Sequence, residues 1–462
     1  MGLHAKVDGD GRDGEYLSVS PLLDGKVTVP KHRLPDGPMI PELAYEIIRD
    51  ELMFDGNARL NLATFVTTWM EPQAEKLMAE TFDKNMIDKD EYPQTAELEM
   101  RCVNMLSRLW NSPSEDVATG CSTTGSSEAA MLGGLALKRR WQQERRAAGK
   151  SADKPNMVMG INVQICWEKF CNYFEVEPRY VPMEGNRFHL SGEEAVKLCD
   201  ENTIGVVAVL GSTFDGSYEP VEEISDVLDD LEERTGLDVP IHVDGASGAM
   251  IAPFIDPDLV WDFRLPRVAS INTSGHKYGR VYPGVGWALW RDPEVLPEDL
   301  VFRVNYLGGD MPTVALNFSR PGSQIVAQYY NFIRLGFEGY RRLQQECRDI
   351  ATFGSAAIAE LGPFELITDG SELPVFAFKV RDDVKGFSAF DVSSGMRERG
   401  WQVPAYSFPE NREDLVALRV VVRNGYSRDP AEIFLDDLKR LLTRLEKQSS
   451  PAHDGSYAGF SH

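Results

Sequence analysis

Short apolar runs alternate with helical patterns between about residues 115 and 292. The runs are Met157 to Val163, Ile204 to Leu210, Val239 to Val243, Val268 to Ile271 and Val285 to Trp290. Apolar runs of this length, separated by segments with the 3.6-residue period of helices, are typical of strands that are buried on both faces. The pattern predicts an α/β architecture in which helices cover both faces of a mainly parallel sheet.

The pattern changes on both sides of this region. Apolar spacing predicts a helix from Pro41 to Met53, and a long helix from Gly322 to Glu346 or beyond. In the C-terminal part, two segments show the alternation that is typical of antiparallel strands, Val375 to Val380 and Leu415 to Val422. Two others have helical spacing, Phe387 to Arg399 and Asp429 to Leu445. We expect a small α+β domain there.

Four segments follow from these patterns. They are an N-terminal arm and helix (1–57), a large domain (58–345), a small C-terminal domain (346–448) and a flexible tail (449–462). The arm is rich in Gly, Asp and Pro up to about residue 37, which favours turns and disorder, so we expect a mobile arm or an oligomer-packing tail.

Composition excludes several classes of protein. The 462 residues are 42% hydrophobic and 10% aromatic, which is ordinary for a two-domain globular enzyme and excludes a mainly disordered chain. Lys and Arg number 48 against 72 Asp and Glu, a net charge of −24. Such a surface repels nucleic acid and anionic membranes, so neither is an expected partner. An acidic substrate would need specific local positive charge.

The six cysteines are scattered without CxxC spacing. Neither a zinc site nor a disulfide framework is indicated, and no metal is expected. The first residues lack a basic segment followed by an apolar one, and the apolar runs are too short to cross a bilayer. We therefore expect a cytoplasmic protein with free thiols.

Candidate chemistry begins at Lys277, which follows the run Val268 to Ile271 and a polar, Gly-containing turn, next to His276. A lysine acts as a Schiff-base nucleophile only when it is neutral, and burial or a neighbouring cation lowers its pKa towards working pH. A lysine in such a loop is also common as a solvated surface residue. The assignment therefore depends on the other polar groups nearby.

Two upstream segments supply matching groups. Asp244 ends a β-rich run, where α/β sheets present side chains to ligands, and is a candidate partner for a positively charged ring nitrogen. Ser126 and Ser127 stand where a small-residue loop, Gly120 to Gly125, enters a strong helix pattern, which is a seat for phosphate. A solvated acid and a helix-capping cluster are the alternatives. Together with Lys277, the three features in this order predict a pyridoxal phosphate site.

Six sequence runs resemble those of the pyridoxal-phosphate-dependent glutamate decarboxylases. They are Asn61 to Phe65, Gly125 to Ala129, Val163 to Trp167, His242 to Ser247, Ser274 to Gly279 and Leu316 to Pro321. The resemblance covers roughly residues 38 to 445. Gly245 departs from it, because an alanine is more usual there. The resemblance implies a fold-type I enzyme, with a mainly parallel seven-stranded sheet and a small α+β C-terminal domain, that converts L-glutamate into 4-aminobutyrate and CO₂.

The resemblance also implies residue roles. Lys277 would carry the cofactor, Asp244 would stabilise its protonated ring nitrogen, and His276 would complete the catalytic group. The other cofactor contacts would be Ser126, Ser127, Gln164, Thr213, Ser274 and, reaching the partner subunit's cofactor, Ser319. The substrate contacts would be Thr64, Phe65, Asn85, Asp88 (from a neighbouring subunit) and Arg423, which would hold the α-carboxylate.

Assembly and regulation follow from the same resemblance. A homodimer or a larger homo-oligomer such as a hexamer is expected, because Ser319 and Asp88 would complete the partner's site. Close contact between Asp88 and the distal carboxylate of glutamate would require a shared proton, so substrate binding should favour acid. His462 resembles a histidine that closes the site in some bacterial members, although a simple flexible tail is the alternative. The tail lacks the basic helix that binds calmodulin in plant members.

Two rival functions use the same residues differently. An aminotransferase, or a decarboxylase of another amino acid, would keep the lysine and the aspartate, because the fold alone does not select the reaction. A catalytically silent interaction protein would have a relaxed cofactor site.

Overall fold

The helices and strands alternate along the chain as the apolar pattern predicts. The computed structural model describes residues 15–16, 27–28, 30–113, 118–304 and 311–449. The α-helices are α1 Pro41–Leu52, α2 Pro72–Glu80, α3 Pro93–Leu109, α4 Ser126–Ala147, α5 Ile165–Tyr173, α6 Gly192–Leu198, α7 Val221–Thr235, α8 Ala252–Ile255, α9 Ser323–Ala359, α10 Ala389–Arg397 and α11 Arg428–Ser449. The strands are β1 Glu15–Tyr16, β2 Val27–Thr28, β3 Thr119–Thr123, β4 Asn156–Gly160, β5 Glu177–Val181, β6 Thr203–Val209, β7 Ile241–Asp244, β8 Val268–Thr273, β9 Gly286–Trp290, β10 Phe302–Val304, β11 Met311–Thr313, β12 Phe364–Leu366, β13 Val375–Val380, β14 Ala405–Ser407 and β15 Val416–Val421.

The chain separates into two units at Asn57 and Ala58. The first unit contains the antiparallel pair β1 and β2, together with α1. The expectations for the remainder of the N-terminal arm, and for the tail with His462, concern residues outside the described part of the chain. No α-helix among the described residues is both long enough and apolar enough to span a bilayer.

A seven-stranded sheet forms the centre of the second unit. Its strand order is β3-β9-β8-β7-β6-β4-β5. The pairs from β8 through β5 are parallel, whereas β9 is antiparallel to both of its neighbours. The sheet is therefore mainly parallel, as predicted, with one reversed strand. The carboxyl ends of β4, β6, β7 and β8 meet at one edge, where parallel sheets bind ligands.

Both faces of this sheet are buried. Along β4, Met157 and Met159 pack into a cluster with α4 and α5, while Val158 packs into the cluster on the other face. Along β6, Val207 packs into the cluster with α4 and α5, and Val206 packs into the cluster on the other face. Successive side chains of a strand point to opposite faces, so burial on both faces requires the continuous apolar runs that the sequence shows.

The C-terminal part forms a separate antiparallel sheet with the order β12-β13-β15-β14. The end of α9, together with α10 and α11, packs against it in a second hydrophobic core. This is the small α+β layer that the sequence predicts. The expected domain boundary at residues 345 and 346 falls inside α9 and remains a prediction.

The structure corrects some of the expected elements. The small-residue segment from Gly120 to Thr123 is not a loop but strand β3, which pairs with β9 at the sheet edge. Its Gly, Ser and Thr residues carry little strand signal, and the pairing partner lies far away in sequence. Strand β5 was not predicted either, because its Glu, Pro and Arg residues interrupt the apolar pattern. Helix α9 extends beyond Glu346 to Ala359 and contains a kink at Gly336.

Gly245, the departure from the usual alanine, follows β7 in a crowded turn. A Cβ atom on Gly245 would lie 2.5 Å from the Cβ of Ala249 and 3.1 Å from the carbonyl oxygen of Asn272. The backbone N–H of Ala249 donates to the Gly245 carbonyl at 3.1 Å, which keeps the two residues close. The small residue at 245 therefore compensates for the methyl group at 249.

This pairing predicts a rescue. Gly245→Ala should lower the free energy of unfolding by about 1–3 kcal/mol, because the turn must expand around two methyl groups. Gly245→Ala combined with Ala249→Gly should recover most of that loss, since the second change removes the contact. Urea unfolding of the two single variants and the double variant measures the coupling. Strict additivity of the two effects would contradict this explanation.

Candidate active site

Lys277 lies in a tight turn that follows β8. The backbone N–H of Lys277 donates to the carbonyl of Ser274 at 3.2 Å. Thr67, from the segment between residues 58 and 68, binds the outside of the turn. Its N–H donates to the His276 carbonyl at 2.7 Å, and its hydroxyl donates to the Lys277 carbonyl at 2.8 Å. These bonds fix the backbone on both sides of the Lys277 side chain.

The Lys277 side chain is partly buried. Its Nζ is 3.5 Å from the Ser247 Oγ and 5.3 Å from the centre of the Phe65 ring. Burial lowers the pKa of Lys277 from its ordinary value, the carboxylate of Asp244 opposes this shift, and the guanidinium of Arg419 adds to it. The net shift favours the neutral amine, which is the form that attacks a carbonyl carbon.

The N-terminus of α4 lies beside the same turn. The Ser274 hydroxyl donates to the Ser126 Oγ at 2.6 Å, and the His276 Cε1 lies 3.0 Å from the point that a Cβ on Gly125 would occupy. The Nδ1 atom of His276 is buried without a hydrogen-bond partner among the described residues. Burial, with the nearby charge of Lys277, lowers the pKa of His276 to about 4. Two hydroxyls and a neutral imidazole thus surround a helix N-terminus, which suits an anion.

Asp244 lies at the carboxyl end of β7 and is buried, with 4% of its surface exposed. Its carboxylate accepts three N–H groups. The Trp167 indole donates to Oδ2 at 2.8 Å, the Asn272 side-chain amide to Oδ1 at 3.0 Å, and the Ala246 backbone to Oδ1 at 3.1 Å. These donors hold the carboxylate in one orientation at the edge of the sheet.

Arg419, on β15 of the C-terminal sheet, reaches the same place. Its guanidinium lies 4.9 Å from the centre of the Phe65 ring, over which Lys277 also lies. It donates to the Thr213 carbonyl, and to the Ala63 carbonyl at 2.8 Å. Its Nε is buried without a partner among the described residues. Burial lowers the pKa of Arg419 from its ordinary value. The residue therefore has donors left for a ligand.

Arg423, the residue expected to hold the α-carboxylate, has no such capacity. Its guanidinium is buried, and all five N–H groups have oxygen partners in the protein. The acceptors are the carbonyls of Ala58, Asn61, Thr64 and Asn424 and the hydroxyl of Thr68. The expected role stays a prediction. In the structure, Arg423 anchors the segment 58–68, which carries Thr64 and Phe65.

Four other predicted residues lie around these groups. The Thr64 hydroxyl accepts the Val66 N–H at 3.1 Å. The side chain of Gln164 caps α5 by accepting the Cys166 N–H at 2.7 Å. Thr213 follows β6 and contributes its carbonyl to Arg419. Ser127 is exposed in the first turn of α4.

Asn85, Asp88 and Ser319 form a cluster of their own. The Asn85 side-chain amide donates to Asp88 at 2.9 Å and to the Ser319 hydroxyl at 3.2 Å. Its carbonyl oxygen accepts the backbone N–H of Arg320 at 3.1 Å. Ser319 is exposed. The structure thus brings these three predicted residues together in a cluster that includes the exposed Ser319.

Known proteins resemble this chain in sequence and in fold. Residues 34–381 match the pyridoxal-dependent decarboxylase conserved domain. The chain belongs to the pyridoxal-dependent decarboxylase family. A glutamate decarboxylase of Aliivibrio fischeri is 55% identical over 470 residues, covering 100% of both chains. One of Petunia hybrida is 50% identical over 91% of this chain and 84% of its own. The structure of a Lactobacillus brevis glutamate decarboxylase superposes with a TM-score of 0.88 at 46% identity, covering 92% and 96% of the two chains.

The residues present fit the cofactor of the decarboxylase family. Phosphate needs donors and a positive environment, and the unpaired Nδ1 of His276 lies beside the Ser126 hydroxyl and the α4 N-terminus. An aldehyde needs a neutral amine, which the lowered pKa of Lys277 favours. A protonated ring nitrogen needs a fixed carboxylate, which Asp244 provides. Pyridoxal phosphate would meet a suitable group at its phosphate, its aldehyde and its ring nitrogen.

Sequence reasoning missed several residues of this decarboxylase site. Arg419 could have been noticed as a charged residue within the apolar strand from Leu415 to Val422. Asn272 lies in β8, directly after the apolar run Val268 to Ile271, and carried no separate signal. Trp167 and Ser247 lay within the resembling runs but were not assigned. Their contacts with Asp244 and Lys277 depend on the fold, which brings β7, β8 and α5 together.

Proposed function

We infer that the chain uses pyridoxal phosphate to convert L-glutamate into 4-aminobutyrate and CO₂. The observation that carries this inference is the cluster at the sheet edge. Lys277 and Arg419 both lie over the Phe65 ring, and Asp244 lies next to them. The full-length identity to glutamate decarboxylases supports glutamate as the substrate.

Each cofactor contact has a defined task. When bound, pyridoxal phosphate supplies an aldehyde that condenses with amines and a ring that accepts the electron pair released with CO₂. Lys277 would hold the aldehyde, and Ser126, Ser274 and His276 would hold the phosphate. Asp244 would keep the ring nitrogen protonated, because its carboxylate is already oriented by three donors. The Lys277 amine would also be the group that returns a proton to the substrate Cα.

Arg419 is the residue that we assign to the α-carboxylate. A planar guanidinium pairs with a carboxylate through two parallel hydrogen bonds, and such a pair fixes the bond that is to break. Arg419 is tied to two carbonyls but to no carboxylate among the described residues, so its charge is available. The distal carboxylate is assigned to the segment of Thr64 and Phe65, which Arg423 holds in place.

The cluster of the half-buried Asn85 and Asp88 with the exposed Ser319 supports a homodimer as the smallest active unit. In the proposed assembly, Ser319 reaches the phosphate of the partner's cofactor and Asp88 reaches the distal carboxylate of its substrate. The shared proton between Asp88 and glutamate, and the acid preference that it implies, stay predictions. A larger assembly of such dimers is compatible with this role.

The proposed reaction predicts that Lys277→Ala abolishes turnover, with a loss of at least about 10³-fold, because no other amine replaces Nζ. The yellow absorption of the bound cofactor should vanish as well. Product analysis of the wild type with glutamate should give CO₂ and 4-aminobutyrate, whereas 2-oxoglutarate would indicate an aminotransferase. Lys138→Ala is the matched control, since burial also lowers the pKa of Lys138, which lies on α4 outside the site. Retained turnover in Lys277→Ala would refute the assignment.

Replacing Arg419 and replacing Arg423 should cause different defects. Arg419→Ala should lower kcat/KM by roughly 10²- to 10³-fold, because it removes a partner of the substrate. Its loss of stability should be smaller than that of Arg423→Ala, because it leaves two carbonyls without a donor rather than four. Arg423→Ala should lower the free energy of unfolding by about 2–4 kcal/mol and raise KM, because it leaves several buried carbonyls without donors. Kinetics and urea unfolding of both variants separate these outcomes. A large catalytic defect in Arg423→Ala with normal stability would restore the original assignment.

A shared active site predicts complementation. Lys277→Ala and Ser319→Glu chains should each be inactive as homodimers, the second because a carboxylate would oppose the phosphate. Co-expression should restore about a quarter of wild-type activity, because half of the dimers are mixed and each of these has one intact site. Activity no higher than that of the parent proteins, despite mixed dimers seen by native mass spectrometry, would exclude the shared site.

A further inference from the structure

His242 lies two residues before Asp244 on β7, so both side chains point to the same face of the sheet. On the neighbouring strand β8, Ser270 pairs with His242 and Asn272 pairs with Asp244 in the strand register. Four polar side chains therefore form a square on a face that is otherwise apolar and covered by α4 and α5. All four are buried, and His242 and Asn272 have no exposed surface.

The hydrogen bonds in this square allow one arrangement. The Asp244 carboxylate only accepts, so Asn272 must direct its NH₂ to Asp244 at 3.0 Å and its carbonyl oxygen to the His242 Nε2 at 2.7 Å. His242 therefore carries its proton on Nε2. Its Nδ1 then accepts from the Ser270 hydroxyl at 2.7 Å. Burial lowers the pKa of His242, which agrees with a neutral ring that has one N–H.

His242 also packs against Trp167, the other side chain that donates to Asp244. The Trp167 and His242 rings meet edge to face, with centroids 5.1 Å apart, and the Trp167 indole donates to the Asp244 Oδ2 at 2.8 Å. Space for the imidazole comes from Gly133 on α4, since a Cβ there would lie 2.3 Å from the His242 Cε1. One buried ring thus contacts both side chains that hold Asp244.

We propose that His242 is a positioning residue for Asp244. As the Nε2–H tautomer it turns the Asn272 amide towards one carboxylate oxygen, and by packing it holds the Trp167 indole against the other. The carboxylate is thereby kept in the orientation that pairs with the cofactor ring nitrogen. This role rests on the proposed use of pyridoxal phosphate.

Two substitutions of His242 test the roles of its two ring nitrogens one at a time. Glutamine can place an amide N–H where Nε2 lies, and asparagine can reach only the position of Nδ1. His242→Gln should therefore stay within about threefold of the wild type. His242→Asn should raise the dissociation constant of pyridoxal phosphate about tenfold and lower kcat by about 10- to 100-fold, the range typical for residues that orient a ligand-binding side chain. KM for glutamate should change little, because His242 does not contact the substrate carboxylate sites.

The decisive readout does not require turnover. Visible circular dichroism of the bound cofactor reports the orientation of its ring, and we expect His242→Asn to alter this band while His242→Gln preserves it. If both variants give the wild-type band and cofactor affinity, or if both lose them equally, the positioning role is wrong. Urea unfolding of the cofactor-free proteins identifies a purely structural effect, which would lower stability and leave the band unchanged.

Asn272→Ala provides an independent test should His242→Asn fail to fold. It removes the donor to Asp244 but retains His242, and it should alter the cofactor band in the same direction. An unaltered band in Asn272→Ala would also overturn the proposal. A wild-type protein that binds pyridoxal phosphate but does not produce 4-aminobutyrate would refute the proposed reaction alone, since cofactor affinity and the band would still test His242.

Discussion

A carboxylate that is removed from water must receive hydrogen bonds, and Asp244 is where this constraint shapes the structure most. An unpaired buried charge costs several kcal/mol, so the donors around it are not optional. Trp167 and Asn272 supply two of them from separate elements. Their own partners extend the requirement to His242 and to the space at Gly133. The need to pair one acidic side chain thus constrains which residues can stand at these positions of β7, β8, α4 and α5.

The active site lies where the large sheet meets the C-terminal sheet. Lys277 and Asp244 come from the large sheet, Arg419 comes from β15, and Phe65 comes from the segment that joins them. Thr67 ties that segment to the Lys277 turn, and Arg423 ties it to the end of β15. These contacts link the proposed substrate-binding groups to the proposed cofactor-binding groups, so a change in the spacing of the two sheets would misplace both.

The local charge of the site opposes the charge of the whole protein. The chain has a net charge of −24, yet Lys277, Arg419 and Arg423 lie close to one another at the sheet edge. Burial lowers the pKa of each of them. Carbonyl oxygens, which are neutral, bind both arginines. The charge of Arg419, whose Nε has no partner among the described residues, therefore remains available to an anionic substrate, as the acidic composition required.

The sequence by itself determined the α/β architecture, the C-terminal α+β layer and the candidates Lys277, Asp244 and Ser126. Continuous apolar runs report burial on both faces of a strand, and lysine, acid and small-residue turns follow strands at the positions where a parallel sheet exposes its edge. Only the tertiary structure distinguishes the surroundings of Arg419, within β15, from those of Arg423, just after it, because the two guanidinium groups contact different segments of the fold. The same holds for β3, whose small residues form a strand because β9 supplies its hydrogen bonds. His242, Asn272 and Trp167 also became visible only in the fold, since pairing across strands and packing against helices join residues that are distant in sequence.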